Sequence, residues 1–251
     1  KRTDLVRLEK GNTFGEMGLF RKAERSASAE AAEKTRLLVV NRDCLDPLKK
    51  RNPKIAAKLF LNLANRLQSS LKDTDERLLA QKDFNLTSLE AKLNNDEKLA
   101  EQEISIKPED LWESLGAKWR HKLQSFSETY KVARGKRLSK IKNDKGDFLF
   151  ITSGTVEIAS IVSAKNDTFS VGYCWTRKDF DLIGEYSLCT PNETATARAI
   201  ARQDSTLLQF TETKLLALAK HEPRLAAQFL EDVVCLLSDQ LAIADKRLQN
   251  H

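Results

Sequence analysis

In the stretch GEMGLFRKAERSAS, Gly15 to Ser28, a carboxylate at Glu16 precedes a guanidinium at Arg25, with an apolar turn between them and small residues after. The segment is too short and too mixed to be a core helix. A carboxylate accepts hydrogen bonds, and an arginine presents a planar, permanently charged fork of donors. Two readings stand at this level: a surface turn with an incidental Glu and Arg, or a segment that holds a polar, charged ligand. A second stretch, GEYSLCTPNETATA from Gly184 to Ala197, repeats the layout with the arginine gone.

The elements that must position these stretches come from an internal repeat. NPKIAAKLFLNLANRLQSSLKDTDERL (Asn52 to Leu78) lies over EPRLAAQFLEDVVCLLSDQLAIADKRL (Glu222 to Leu248) without a gap, pairing Pro53 with Pro223 and Ala56-Ala57 with Ala226-Ala227. Ahead of them, TRLLVV resembles STLLQF and GEMGLF resembles GEYSLC. The offset of about 170 residues suits the size of one domain. Each copy ends in a long helix: Leu59, Leu63, Leu67, Leu71 and Leu78, like Phe229, Val233, Leu237 and Leu241, follow a three-to-four spacing. Pro53 and Pro223 fall in first helical turns, where proline is best tolerated. The stripes extend over about five turns and could also serve as a pairing face, giving a homodimer or larger assembly. The stretch Lys82 to Lys107 reads as a helical linker, and Pro108 with Glu109-Asp110 opens a helix from Leu111 to about Lys131.

The second copy carries strands ahead of its Gly-Glu pair. GKRLSKIKNDKGDFLFITSGTVEIASIV alternates in strand fashion, with turns at Asn143-Asp144, Gly146-Asp147 and Ser153-Gly154, and TFSVGYCW is a further strand. The first copy has only about 14 residues before its Gly-Glu pair, against roughly 75 in the second. Its front half is expected to lie outside this chain, or to be completed by a partner chain. The divisions are therefore 1–80 for the end of a first domain, 81–108 for a linker and 109–251 for a second domain.

KGDFLFITSGTVEI resembles the glycine-punctuated strands of the cyclic nucleotide-binding domain, and GNTFGEMGLF…ERSASAEA resembles its phosphate-binding cassette. That family includes catabolite activator protein and the regulatory subunits of protein kinase A. The resemblance implies an α+β fold: antiparallel, jelly-roll-like β-rolls with flanking helices and long C-terminal helices. It also implies roles. Glu16 accepts from a ribose 2′-hydroxyl, Arg25 holds the cyclic phosphate, and Gly15, Met17, Ser26 and Ala27 belong to the surrounding cassette, whose exposed amides point at the phosphate oxygens. The implied ligand is cAMP or cGMP, with no other cofactor.

The second cassette departs from this pattern. Gly184 and Glu185 persist, but one residue is deleted before Ala195, and Glu193 or Thr194 falls where the arginine belongs. A charge-assisted bond to phosphate is worth about 1.5–3 kcal/mol, and a carboxylate there repels the ligand. Arg198 lies just beyond and points elsewhere if strand alternation holds. The second copy is expected to be a degenerate site.

Composition narrows the function classes. Apolar content of 41% and charged content of 31% suit a soluble globular protein, and the formal charge of +6 is spread along the chain. No apolar run approaches a membrane span. The four cysteines stand singly, favouring a reduced, cytoplasmic setting, and three histidines build no metal constellation. No GxSxG or P-loop motif suggests an enzyme. The charged linker lacks a turn glycine and is too acidic to enter a groove, so DNA is not an expected partner. Trp112, Trp119, Tyr130 and Trp175 read as core or helix-packing aromatics. The reading is a regulatory module that senses a cyclic nucleotide through the first copy and acts on an effector domain or protein. The alternative is a scaffold of a larger assembly that binds no cyclic nucleotide.

Overall fold

A computed structural model describes residues 7–20, 28–80, 116–138, 148–165, 168–177, 182–183 and 197–249. The short helix α1 (Met17–Phe20) and α2 (Leu45–Arg51) precede the long α3 (Pro53–Ala80). After α4 (Gly116–Ser125) come strands β1 (Glu128–Val132), β2 (Phe148–Ser153), β3 (Val156–Lys165), β4 (Thr168–Arg177), β5 (Leu182–Ile183), β6 (Ala197–Ala201) and β7 (Ser205–Phe210). Helices α5 (Glu212–His221) and α6 (Pro223–Gln249) complete the described chain. The architecture is a mixture of helices and antiparallel sheet.

The strands form two sheets, ordered β1-β7-β2-β5 and β4-β3-β6, with every pairing antiparallel. Alternation decides which side chains go where. Leu149, Ile151 and Leu207 of the first sheet meet Val156, Ile158, Ala199 and Ala201 of the second in one buried core. Phe148, Phe150, Leu208 and Phe210 point the other way, into a larger core built on the helices. Strand β7 is thus buried on both faces and paired on both edges. At the Ser153-Gly154 turn, Gly154 has φ +100° and sits so close to Ser205 that a Cβ would lie 2.7 Å from its Cα.

The helical parts of the two repeats take the same local form. Asn52 (φ −137°, ψ 64°) and Glu222 (φ −130°, ψ 59°) each close one helix and begin the next, and their amides donate to Leu48 and Leu218 carbonyls, both at 2.8 Å. Pro53 and Pro223 then start helices of 28 and 27 residues, where a missing N–H costs nothing. These helices run parallel and side by side. Lys49, just before α3, reaches Glu231 early in α6, and Thr74 near the end of α3 donates to Asp245 near the end of α6 at 3.3 Å. Leu63, Leu67 and Leu71 are buried in the same core as Phe229, Val233, Leu237 and Leu241. The stripe expected as a pairing face is therefore used within the chain, between α3 and α6.

Three expectations need correction. The helix expected to run to about Lys131 ends at Ser125, where the Phe126 amide turns back to the Leu123 carbonyl and the Ser125 hydroxyl donates to the Lys122 carbonyl. Glu128–Val132 instead pairs with β7, so Tyr130 lies in a strand. Trp119 is exposed rather than packed, with the Lys122 ammonium 5.8 Å from its ring centroid. The segment TRLLVV, likened to β7, forms no strand; Leu37, Leu38, Val39 and Val40 are exposed. A strand is stabilised by neighbours, and this one has none among the described residues. The linker 81–108, and the turns at Asn143-Asp144 and Gly146-Asp147, lie outside the described residues.

Candidate functional site

The first cassette begins with a tight loop. The Asn12 side chain accepts from the Glu9 amide at 2.8 Å, while the Asn12 amide donates back to the Glu9 carbonyl at 3.0 Å, with Gly11 at φ 89° between them. Gly15 has φ 77°, a conformation an L side chain resists, and it turns the chain into α1. The Leu19 amide donates to the Glu16 carbonyl at 3.0 Å.

Apolar side chains anchor this turn. Phe20 is buried and meets Phe60 of α3 edge-on, while Met17 and Leu19 pack against the same core. Glu16 is half-buried, and its Oε2 is fully buried with no hydrogen-bond partner among the described residues. A buried carboxylate oxygen without a donor is costly, and a ligand hydroxyl would satisfy it. Gly15, Glu16 and Met17 follow one another at the entry to α1; Arg25, Ser26 and Ala27 lie outside the described residues. So do all the residues of the expected degenerate site, Gly184, Glu185, Glu193, Thr194 and Ala195. Of the cations near that second cassette, Arg202 is engaged, gripping Glu157 through both Nε (2.8 Å) and Nη2.

A second polar cluster, which sequence reasoning missed, joins α2 to α6. Lys49 bridges Asp46 at 2.8 Å and Glu231 at 2.5 Å. Burial opposes the charge on Lys49, but its bonds to Asp46 and Glu231 hold its pKa above the ordinary lysine value. The neighbouring Asp232 is buried; burial first, then the Glu231 charge, pushes its pKa up to about 7 against the opposing pull of Gln228 and Lys49. Cys235, one turn on, is a free thiol pushed up to about 12, mainly by burial and then by Asp232. The available signal was the adjacent pair Glu231-Asp232, which puts two carboxylates between the apolar stretches Phe229-Leu230 and Val233-Val234. Beside this cluster is an open cavity of about 470 Å³ lined by Asp46, Lys49, Lys50, Arg224 and Gln228, which shares no residue with the Gly15–Phe20 turn.

Residues 1–52 match the family model of the cyclic nucleotide-binding domain. That span holds Gly15, Glu16 and Arg25. Among solved structures, the catabolite activator protein of Thermus thermophilus is 22% identical, with a TM-score of 0.33 over 49% of this chain and 54% of that one. The N-terminal domain of a transcriptional regulator from Streptomyces coelicolor A3(2) is 21% identical, with a TM-score of 0.34 over 51% of this chain and 86% of that one. A cyclic nucleotide-binding domain from Methylobacillus flagellatus KT is 18% identical, with a TM-score of 0.41 over 54% and 73%. The chain spans about half the length of the Thermus protein it matches. No curated protein matches at a significant level. No helix among the described residues is long and apolar enough to cross a membrane.

Proposed function

We propose that the chain is a non-enzymatic, ligand-sensing regulatory module: a tandem of two cyclic nucleotide-binding rolls, of which the first binds cAMP or cGMP. Glu16 takes the ribose hydroxyl, Arg25 the cyclic phosphate, and Gly15, Met17, Ser26 and Ala27 shape the cassette. The observation that carries this reading is the buried Glu16 Oε2 without a donor among the described residues. The family match over residues 1–52 supports it. Ligand binding would be transmitted through α1, whose Phe20 rests on α3, and α3 is the output element acting on an effector domain or protein. Such a response is a shift of population toward the conformation that binds better, and it calls for no catalytic group. The second roll is a pseudo-site. DNA has no part in this reading, and the setting is cytoplasmic.

A scaffold without ligand is the second reading, and one observation favours it: the first copy's Leu37–Val40 segment is exposed and unpaired among the described residues. Calorimetry with cAMP and cGMP on the protein recovered from its own cells separates the two. Sensing requires binding that Arg25→Ala weakens at least about tenfold, the 1.4 kcal/mol scale. Affinity unchanged in that variant removes Arg25 from the site, and no binding by the parent protein leaves the scaffold.

A further inference from the structure

The corners that lead into the two long helices repeat as a pair of basic turns. LKKRNPK (Leu48 to Lys54) lies over LAKHEPR (Leu218 to Arg224), which pairs Lys50 with Lys220 and Lys54 with Arg224. All four of these side chains are exposed. Strands β1 to β7 accompany the second corner, and Lys220 and Arg224 stay exposed beside them. The exposure therefore belongs to the corner itself, whatever strands lie near it. From Pro47 to Lys72 the chain carries no carboxylate at all.

Because α3 and α6 run parallel, both corners lie at the end of the molecule where these helices begin. Neither helix has an acidic residue in its first turn. A cation there is opposed by the helix macrodipole, so Lys54 and Arg224 do not serve the helices that carry them. The carboxylates beside the corners are already held: Asp46 and Glu231 by Lys49, and Glu222 by Lys122 at 2.5 Å. Lys50, Lys54, Lys220 and Arg224 have no ion-pair partner among the described residues. Between the two copies this surface is concave. Lys50 of α2 and Arg224 of α6 line the cavity of about 470 Å³ together with Gln228, Lys49 and the Asp46 that Lys49 neutralises.

We propose that this end of the molecule docks an acidic segment of a partner protein, seated in the cavity between Lys50 and Arg224 and continuing over Lys54 and Lys220. Charge complementarity selects the partner's chemistry, and shape selects its class. A discrete hollow between two helices receives side chains, whereas a bilayer presents a plane and a duplex a continuous track of phosphates. Arg224 can hold a carboxylate through two guanidinium nitrogens, Gln228 can donate a further bond, and Lys50 supplies a point charge. Unpaired cations on the rim also steer an acidic partner toward the site. The walls of the cavity come from different copies, so the docked segment bridges the two halves. The surface names the chemistry of the effector that the proposed function calls for, and it rests on that reading only to that extent. No nucleotide takes part in the docking, so either can fail alone.

Fluorescence anisotropy of a labelled oligoglutamate peptide, titrated with the whole protein in the absence of nucleotide, tests it. Lys50→Glu combined with Arg224→Glu should weaken binding by at least about tenfold, with urea midpoints unchanged because both side chains are exposed. Lys131→Glu combined with Lys136→Glu makes the same change of charge at exposed positions of the second roll. That pair should leave affinity within about twofold, since charges beyond a Debye length are screened. Absence of binding by the parent protein overturns the proposal. Equal weakening by the two pairs does so as well, because the peptide would then be attracted by net charge and not by this surface. Tighter binding of duplex DNA or of phosphatidylserine vesicles, lost with the Lys50 and Arg224 substitutions, would give the surface to that other class and overturn it too.

Discussion

Phe20 and Phe60 meet edge-on, with ring centroids 6.1 Å apart and planes inclined at 67°, so the cassette turn rests directly on the long helix α3. Aromatic pairs in this geometry contribute about 0.5–1.5 kcal/mol beyond their area. Their position matters more: any change in the turn that carries Glu16 must be felt at Phe60.

Phe20→Ala should therefore destabilise the chain by about 3–5 kcal/mol, the usual cost of emptying a buried phenylalanine site, measured by urea unfolding. The milder Phe20→Leu should leave nucleotide affinity in place while reducing the ligand-dependent change in amide exchange along α3. An undiminished change would mean that the signal leaves the cassette by another route.

The elevated pKa of Asp232 predicts the pH dependence of stability. Its folded value of about 7 lies above the ordinary 3.8, so the folded state binds the proton more tightly than the unfolded state. The resulting stabilisation is fully present below the unfolded pKa and is lost as pH rises through about 7. Asp232→Asn should flatten this fall and raise stability at about pH 8 by at least about 1 kcal/mol, seen in urea midpoints across the window. Asp46 and Glu128, whose pKa values are lowered chiefly by hydrogen bonds to lysines, act in the opposite sense and cancel between parent and variant. A parallel pair of curves would show that Asp232 is not the group responsible.

Much of this molecule is legible in the residues alone, and the illegible parts share a cause. The stripes Leu63-Leu67-Leu71 and Phe229-Val233-Leu237 announce the long helices because burial on one side forces that spacing. The Ser153-Gly154 turn and the strand TFSVGYCW are equally plain, since they depend on neighbours close in sequence. The segment Thr35–Val40 reads as a strand because its residues suit one, but pairing is a property of the neighbour, which the segment cannot encode. Residues 126–132 misled for a related reason: a helical pattern runs into them, and only the ladder with β7 turns Tyr130 into a strand residue. The cassette motif pointed to Glu16 and Arg25 by type and spacing. It could not reveal that Oε2 of Glu16 is sealed from solvent, because that depends on how the turn is seated on the core.

Gly154 should tolerate no side chain. Beyond its φ of +100°, an added Cβ would lie 2.6 Å from the Asp204 carbonyl oxygen and 2.7 Å from Ser205 Cα, both backbone atoms that cannot swing away. Gly154→Ala should cost at least about 2 kcal/mol. Gly135→Ala, at φ +78° but facing open space, should cost only about 1 kcal/mol. Equal midpoints for the two variants in chemical unfolding would refute the steric account.

The second cassette should be silent toward cyclic nucleotides. In the whole protein carrying Arg25→Ala, calorimetry with cAMP should find no residual micromolar binding if, as proposed, Glu193 or Thr194 takes the place of the arginine, since Arg202 is already committed to Glu157. Residual binding that disappears with Arg198→Ala would place a substitute cation there and overturn the charge argument.

The side-by-side course of α3 and α6 has a consequence for dilution. Two separate polypeptides that met through such helices would part as their concentration fell below the dissociation constant, and their response would vary with expression level. Here both helices belong to one chain, so the encounter is intramolecular and its effective concentration is set by the tether alone. Docking between the halves has no stoichiometry to satisfy and no assembly step to wait for. The halves are also free to diverge, since a tethered pair need not be symmetric: one can keep a ligand pocket while the other serves as its permanent counterweight.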